Sequence, residues 1–160
     1  MIRQHLKSLA RDESGASIIE MAMVLPVLSG LLIGMIDISR AYAAKLSLEQ
    51  AAYRAIEKVQ QYNTTASTYS TLKSEAAAAA NASGFSGVTD SDVTIDYWLE
   101  CNGTRKSDYN TSCAGNETIA RWITVDVSAK FNPMFASRKW PGANTDGSFT
   151  LHGRAGLRTQ

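Results

Sequence analysis

The chain has 160 residues, 44% of them hydrophobic, and a formal net charge of +1 at pH 7. This length suits one modest domain with one additional element, and the nearly balanced charge gives no electrostatic reason to expect nucleic acid as a partner. The sequence contains neither a Walker A motif nor a GxGxxG fingerprint, so the phosphate-binding loop of a nucleotide-driven motor is not expected.

The first predicted element is an apolar segment at residues 16–36, in which Glu20 is the only ionisable residue. A helix of this length extends about 32 Å, which is enough to cross the hydrocarbon core of a bilayer. The far side begins with both signs of charge, at Asp37 and Arg40, whereas the near side is basic. The positive-inside rule therefore predicts a cytoplasmic N-terminus and places the bulk of the chain outside the cytoplasm. The near-side residues are Arg3, His5, Lys7 and Arg11.

Three interpretations of this segment lead to different mature proteins. A secretory signal would be cut after Ala43, because residues 41–43 have the small-x-small form that signal peptidase favours, and a soluble domain would be released. A plain uncleaved anchor explains the length and the orientation but gives no reason for Glu20. The third interpretation starts from that glutamate, since a carboxylate in a membrane helix costs up to about 2.5–3.5 kcal/mol at the bilayer centre and usually indicates a charged partner.

The residues around Glu20 favour the third interpretation. Gly15 and Ala16 follow a polar cluster and precede the glutamate, an arrangement that resembles a prepilin peptidase site. The longer run at residues 15–52 resembles the TadE family of pilin-like proteins, which serve tight-adherence (Flp) pilus secretion systems as pseudopilins or minor pilins. The residues that carry this resemblance are Glu20-Met21-Ala22-Met23-Val24-Leu25-Pro26, Gly30, Gly34, Asp37, Arg40-Ala41 and Gln50-Ala51-Ala52.

The resemblance implies a cytoplasmic leader at residues 1–15, cleavage by a prepilin peptidase between Gly15 and Ala16, and a transmembrane helix at residues 16–36. The new amino group of Ala16 is then expected to pair with Glu20 of a neighbouring subunit. Implied partners are the peptidase, other pilin or pseudopilin subunits, the inner-membrane assembly platform and membrane lipid. Residues 37–160 would lie in the periplasm, and the protein would belong to the bacterial inner membrane or to a fibre assembled from it.

A departure from the family pattern narrows the expected role. Met21 stands where the major pilins of this branch carry an aromatic residue after the glutamate, and this chain is far longer than those short subunits. The resemblance therefore implies a minor subunit of the pilus.

Small residues and one proline recur every four positions along the apolar segment. They would form a narrow stripe on one side of a helix, which permits close contact with another helix. Glycine and alanine are also simply common in membrane helices, so the stripe by itself does not decide the matter. The four residues are Ala22, Pro26, Gly30 and Gly34.

Beyond the membrane the pattern predicts an α+β domain. Apolar residues at three- or four-residue intervals predict an amphipathic helix at about residues 41–62, and an alanine run predicts a second helix at about 69–81. Alternating apolar and polar residues predict strands at about 92–100 and 120–131, with a weaker one at 149–155. A long helix packed on a small antiparallel sheet would bury both apolar faces, and this is also the general plan of pilins.

Cys101 and Cys113 are the only cysteines, and turn-forming residues flank both. A disulfide between them would close a short loop after the first predicted strand and contribute about 3 kcal/mol or less to stability. The alternative is a metal or redox pair, but neither a CxxC spacing nor a nearby histidine supports it.

Little in the sequence points to catalysis. One histidine, His5, lies in the predicted leader and the other, His152, lies on a predicted strand surface, so a histidine-based triad lacks candidates. Asp90, Asp92 and Asp96 lack the spacing of an EF-hand loop and are interpreted as a solvated strand edge. We therefore expect no enzymatic activity and no cofactor.

A glycine- and asparagine-rich stretch at residues 132–148 carries Phe135 and Trp140 and is predicted to be a loop. Its aromatic residues would either contact another subunit or a surface, or fold back over the sheet. The sequence leaves both possibilities open.

Overall fold

The computed structural model describes residues 14–61, 71–135 and 140–159. The chain divides into two compact units, the first ending at Ser39 and the second beginning at Arg40. The helices are α1 (Ser14–Gln61) and α2 (Leu72–Ala82), and the strands are β1 (Val93–Cys101), β2 (Thr104–Lys106), β3 (Ile119–Phe131) and β4 (Phe149–Arg158).

Helix α1 changes character along its length. In the first unit nearly all of its described large apolar side chains are exposed, and Ile33 is half-buried. In the second unit one apolar stripe of the helix is buried, while Tyr42, Leu46 and Tyr53 are exposed. Residues three and four apart share a helix face, which is why a single stripe suffices to pack the second half. The buried residues of this stripe are Leu48, Ala51, Ala52, Ala55, Ile56 and Val59.

The strands form one antiparallel sheet in the order β2-β1-β3-β4. Strand β3 is central: Val93 of β1 lies opposite Val127, and Phe149 of β4 lies opposite Phe131. Successive side chains of a strand point to opposite faces, so this register collects the apolar residues of three strands on one face. The core on that face includes Val93, Ile123, Val125, Val127, Ala129 and Ala155.

A glycine of β4 lets the helix approach the sheet closely. A Cβ built on Gly153 would lie 2.5 Å from the backbone nitrogen of Glu49 and closer still to the carbonyl carbon of Leu48. Any other residue at this position would collide with the backbone of α1. Gly153 therefore marks the point at which the helix and the edge strand touch without an intervening side chain.

The predicted α+β class is confirmed: a long N-terminal apolar helix precedes a four-stranded antiparallel sheet. The structure also differs from the predicted boundaries. Strand β2 was not predicted, and β4 continues to Arg158, three residues beyond the predicted end. Residues 1–13 of the leader predicted at 1–15 and the predicted end of the first helix at residue 62 lie outside the described residues, as do residues 69 and 70 of the second helix.

Candidate membrane and assembly segment

The apolar part of α1 is long enough and apolar enough to cross a membrane. Its most apolar 18-residue window has a mean hydropathy of 2.1, and none of that window is buried within the protein. Exposed apolar surface of this extent is costly in water. The segment therefore needs an apolar environment or another helix around it. Its exposed side chains include Ile18, Ile19, Met21, Val24, Leu25, Leu28, Leu31, Leu32 and Met35.

The predicted cleavage and pairing residues all lie in the first two turns of this helix. Gly15 and Ala16 are helical, and the structure describes only their backbone. Glu20 follows them and is exposed. Its carboxylate therefore lies on the surface of an apolar helix, where a cation brought by another chain can reach it.

The predicted stripe of small residues is also accessible. Ala22, Pro26 and Gly30 are exposed and Gly34 is half-buried. Apart from its chain neighbours and the backbone of the helix itself, a Cβ built on Gly30 or on Gly34 would meet no described atom within 4 Å, so the space beside both glycines is open. A second helix could approach here more closely than elsewhere on α1.

The cysteines of the second unit form a disulfide. Cys101 and Cys113 are bonded, with their Cα atoms 5.6 Å apart, which confirms the structural bridge expected from the sequence. Glu117 lies near enough to the two sulfur atoms for a metal-ligand geometry, but sulfur atoms bonded to each other are not thiolate ligands. The bridge ties the end of β1 to the connection before β3.

The outer face of the sheet carries an aromatic and charged ladder that sequence reasoning missed. Trp98 and Trp122 stack across β1 and β3 with their ring centroids 6.2 Å apart. Both indole N–H groups donate to the Glu100 carboxylate, at 2.8 and 3.1 Å. The guanidinium of Arg105 covers Trp98 at 4.7 Å and donates to the carboxylate of Asp96 at 2.8 Å. The contacts of Arg105, which belongs to β2, with Trp98 and Asp96 of β1 hold the two strands together.

A second charged cluster lies on β3 and β4. The Asp126 carboxylate contacts His152 Nδ1 at 2.9 Å and accepts a hydrogen bond from Arg154 Nη2 at 2.6 Å. Partial burial raises the pKa of Asp126, but the hydrogen bonds from His152 and Arg154 outweigh it and leave the pKa below its usual value. His152 is thus an exposed strand residue, as predicted, with a carboxylate neighbour.

A groove of about 760 Å³ lies at one end of the second unit. It is lined by the first turns of α1 in this unit, the loop after α2 and the end of β3, and its charged lining residues are Arg40, Asp92 and Lys130. The Thr89 backbone N–H donates to Asp92, which lowers the pKa of that carboxyl.

The described residues thus form an α+β domain whose first helix continues from a membrane-capable apolar segment. The family model for TadE-like proteins matches residues 15–56. This match confirms the resemblance found in the sequence and supports a role associated with tight-adherence pili. It covers the apolar segment and the first turns of the helix in the second unit. No curated protein and no solved structure matches the chain.

The family match lies entirely within α1, and the sheet lies outside the matched residues. Cross-strand contacts were missed because Trp98 occupies a polar position of its alternating pattern and Trp122 lies 24 residues later. Only the pairing register brings the two together. Two tryptophans on the polar face of neighbouring predicted strands, with Glu100 close by, are the one feature from which this cluster could have been anticipated.

Proposed function

We propose that the protein is a minor pilin or pseudopilin of a tight-adherence pilus, and that it acts by assembly and not by catalysis. A prepilin peptidase removes the leader after Gly15, and the apolar part of α1 holds the product in the inner membrane. The α+β domain then lies in the periplasm and contributes to pilus initiation, to a tip or to a secretion scaffold. The observation that carries this proposal is the TadE-like match over the exposed apolar helix that contains Glu20.

The exposure of α1 supports an assembly role for its stripe and its glutamate. A carboxylate at the start of an apolar helix is expensive unless a cation meets it. Cleavage after Gly15 creates such a cation at Ala16, and the amine of one subunit can neutralise Glu20 of the next. Close approach along Ala22, Pro26, Gly30 and Gly34 would bring the two helices into contact with other pilins or with the membrane assembly platform.

The alternative of a secreted domain released after Ala43 meets a structural difficulty. Ala43 and Ala44 lie in the interior of α1 and line the groove. A cut there would remove Arg40 from the groove and open a new helix end next to the buried residue Leu48. The N-terminal sequence of the mature protein from its native membrane separates the cases, since processing at Gly15 gives an Ala16 start and signal peptidase gives an Ala44 start. An uncleaved N-terminus would leave only a plain anchor.

Replacement of Glu20 tests the pairing directly. We expect Glu20→Ala and Glu20→Gln to abolish or strongly reduce fibre assembly while the protein still resists alkaline extraction from the membrane, because the neutral side chains favour insertion. Glu57→Gln is the matched control, since Glu57 is an exposed glutamate on the same helix, and it should assemble normally. Normal fibres with Glu20→Ala would refute the pairing.

A further inference from the structure

The sheet of the second unit ends in two edge segments that no described strand pairs. Strand β4 pairs with β3 on one side only, and this pairing continues without interruption along the whole strand. At the other end of the sheet, β2 pairs with β1 only at Leu99–Cys101. The stretch Val93–Asp96 of β1 therefore faces no strand of the described chain on that side. Backbone N–H and C=O groups along such an edge can bind a further strand.

Strand β4 carries few of the features that usually protect an edge from pairing. Natural edge strands are often very short, or they contain proline, a bulge or a charge that points inward. Strand β4 is ten residues long, contains no proline and has only apolar or small side chains on its inward face. Its charges all lie on the outward face, where they select a partner without preventing every pairing. The inward residues are Phe149, Leu151, Gly153, Ala155 and Leu157.

The two edges carry opposite charge. The exposed outer face of β4 has two arginines and a histidine, and the strand contains no acidic residue. Residues 90–96 at the other edge include three aspartates and no basic residue. Two copies that joined β4 to β4, or β1 to β1, would place like charges opposite each other, whereas β4 against β1 places opposite charges together. The basic residues are His152, Arg154 and Arg158, and the acidic residues are Asp90, Asp92 and Asp96.

The central charged residues of the two edges can each take a further partner. Arg154 donates to Asp126 through Nε and Nη2, and its side chain is still 73% exposed. Asp96 accepts from Arg105, and its side chain is 47% exposed. A guanidinium has donors left after two hydrogen bonds, and a carboxylate accepts more than two. A contact between copies would therefore join the two internal pairs into one row of alternating charge.

Helix α1 provides an apolar surface beside β4. Its backbone approaches β4 at Gly153. Leu46 and Tyr53 share one face of the helix and are 40% and 54% exposed. At 3.6 residues per turn, this face lies about a quarter to a third of a turn from the contact with Gly153, and buried Ala51 lies about as far on the other side. Because the side of Ala51 faces the core, Leu46 and Tyr53 project beyond the edge of β4.

We propose that the second unit binds a second copy of the chain by strand addition. Strand β4 of one copy pairs with Val93–Asp96 of the next, and Arg154 lies opposite Asp96 of the second copy. Backbone hydrogen bonds supply the affinity, the charges select the partner, and Leu46 and Tyr53 pack beneath the added strand. Each copy uses two different edges, so the contact is head-to-tail and leaves an edge free at each end for further copies.

Charge reversal in the full chain tests this pairing. We expect sedimentation in detergent to show oligomers whose size rises with the concentration of the unmodified chain. Arg154→Glu and Asp96→Arg should each weaken the association by about tenfold, because like charges then meet, and the combined variant should restore it. Lys73→Glu makes the same change of charge at an exposed position of α2 and should associate normally. Circular dichroism checks that every variant keeps its sheet.

Two results of the sedimentation measurements would overturn the strand addition. One is a monomer at every concentration. The other is an association that neither reversal weakens, which would assign the contact to a different surface, such as the apolar segment. Either result leaves the proposed pilus role intact, because leader cleavage and Glu20 take no part in the pairing of the sheets. Failure of the pilus role would equally leave the pairing to stand on these measurements.

Disulfide cross-linking in chains that keep the central charges locates the contact. Thr94→Cys combined with Gly156→Cys reports antiparallel pairing, and Thr94→Cys combined with His152→Cys reports parallel pairing. One of these two variants should give a ladder of oligomers on oxidation, because every chain carries both halves of the junction. Lys73→Cys with Thr94→Cys is the control and should give none. The absence of a ladder from both variants overturns the proposal, as do dimers formed by Gly156→Cys alone, which would join two β4 strands.

Discussion

The two halves of α1 are one continuous helix, yet their side chains meet opposite conditions. Before residue 40 nearly all large apolar residues are exposed, whereas after it a stripe from Leu48 to Val59 is buried in a core shared with the sheet and α2. Backbone hydrogen bonds hold both halves in the same conformation. The comparison shows that helix formation and burial are separate requirements: the second half meets both inside its own domain, and the first half needs a membrane or a partner helix for burial.

The largest effect is expected when the same truncation is made in each half. Leu48 is fully buried and Leu28 is 50% exposed. We expect Leu48→Ala to lower the free energy of unfolding of the second unit by about 2–5 kcal/mol, because it removes buried methyl groups and leaves a cavity. Denaturant unfolding of the full chain in detergent, followed by tryptophan fluorescence, measures this loss.

Leu28→Ala is the matched control in the other half of the helix. It should leave the unfolding midpoint of the second unit unchanged, since Leu28 contributes nothing to the buried cluster. Equal losses from both variants would show that the halves are energetically coupled and would break the comparison.

A smaller effect is expected from a single added methyl group at the contact between helix and sheet. Gly153→Ala places a Cβ against the backbone of α1, and we expect a loss of about 1–3 kcal/mol because backbone atoms must shift. In Gly156→Ala the new Cβ would meet the Thr124 methyl group at 3.2 Å, and that side chain can yield. Thermal unfolding of the two variants should differ clearly, and a similar melting temperature would argue against tight packing at Gly153.

The smallest loss of stability is expected on the exposed face of the sheet, where side chains contribute less than those in the buried stripe of α1. Asp126→Asn removes the charge that His152 and Arg154 contact, and we expect a loss of about 1 kcal/mol or less at neutral pH. The lowered pKa of Asp126 means that this contribution is complete above the unfolded pKa of about 3.9 and disappears as the pH falls through the folded pKa.

The free energy of unfolding, measured at pH 7 and in acid, tests whether the stabilisation by Asp126 is lost as the pH falls. The difference between the unmodified chain and Asp126→Asn should shrink below about pH 4. Asp96→Asn is the control. The Asp96 carboxylate, which pairs with Arg105, is more exposed to solvent than the Asp126 carboxylate. A difference that grows on acidification would contradict the assignment.

The elements that follow a local period could be predicted from the sequence. The alternation in β1 and β3 and the stripe in α1 each repeat over many residues, so they identify the buried face before any contact is known. Strand β2 could not be predicted, since it has three exposed polar residues and exists only through its pairing with Leu99–Cys101. The close approach at Gly153 also depends on where α1 crosses the sheet, which the local pattern does not specify.

The residues of the candidate site also separate into those that a local sequence pattern predicts and those that only the fold brings together. Gly15, Ala16 and Glu20 could be proposed because they are adjacent in the sequence and match a linear pattern. The contact between Arg40 and Phe131, the last residue of β3, joins two segments that lie 91 residues apart and became visible only in the fold. Features that need two distant segments to meet require the fold.

The stacked tryptophans on the outer sheet face have an optical consequence. Two indoles with centroids 6.2 Å apart and ring planes inclined by 14° are close enough for their ultraviolet transitions to couple as an exciton pair. One ring belongs to β1 and the other to β3, so the coupled band exists only while these strands are in register. The protein therefore carries a built-in dichroic marker of strand pairing, which can follow the domain in a membrane or a fibre without any attached dye.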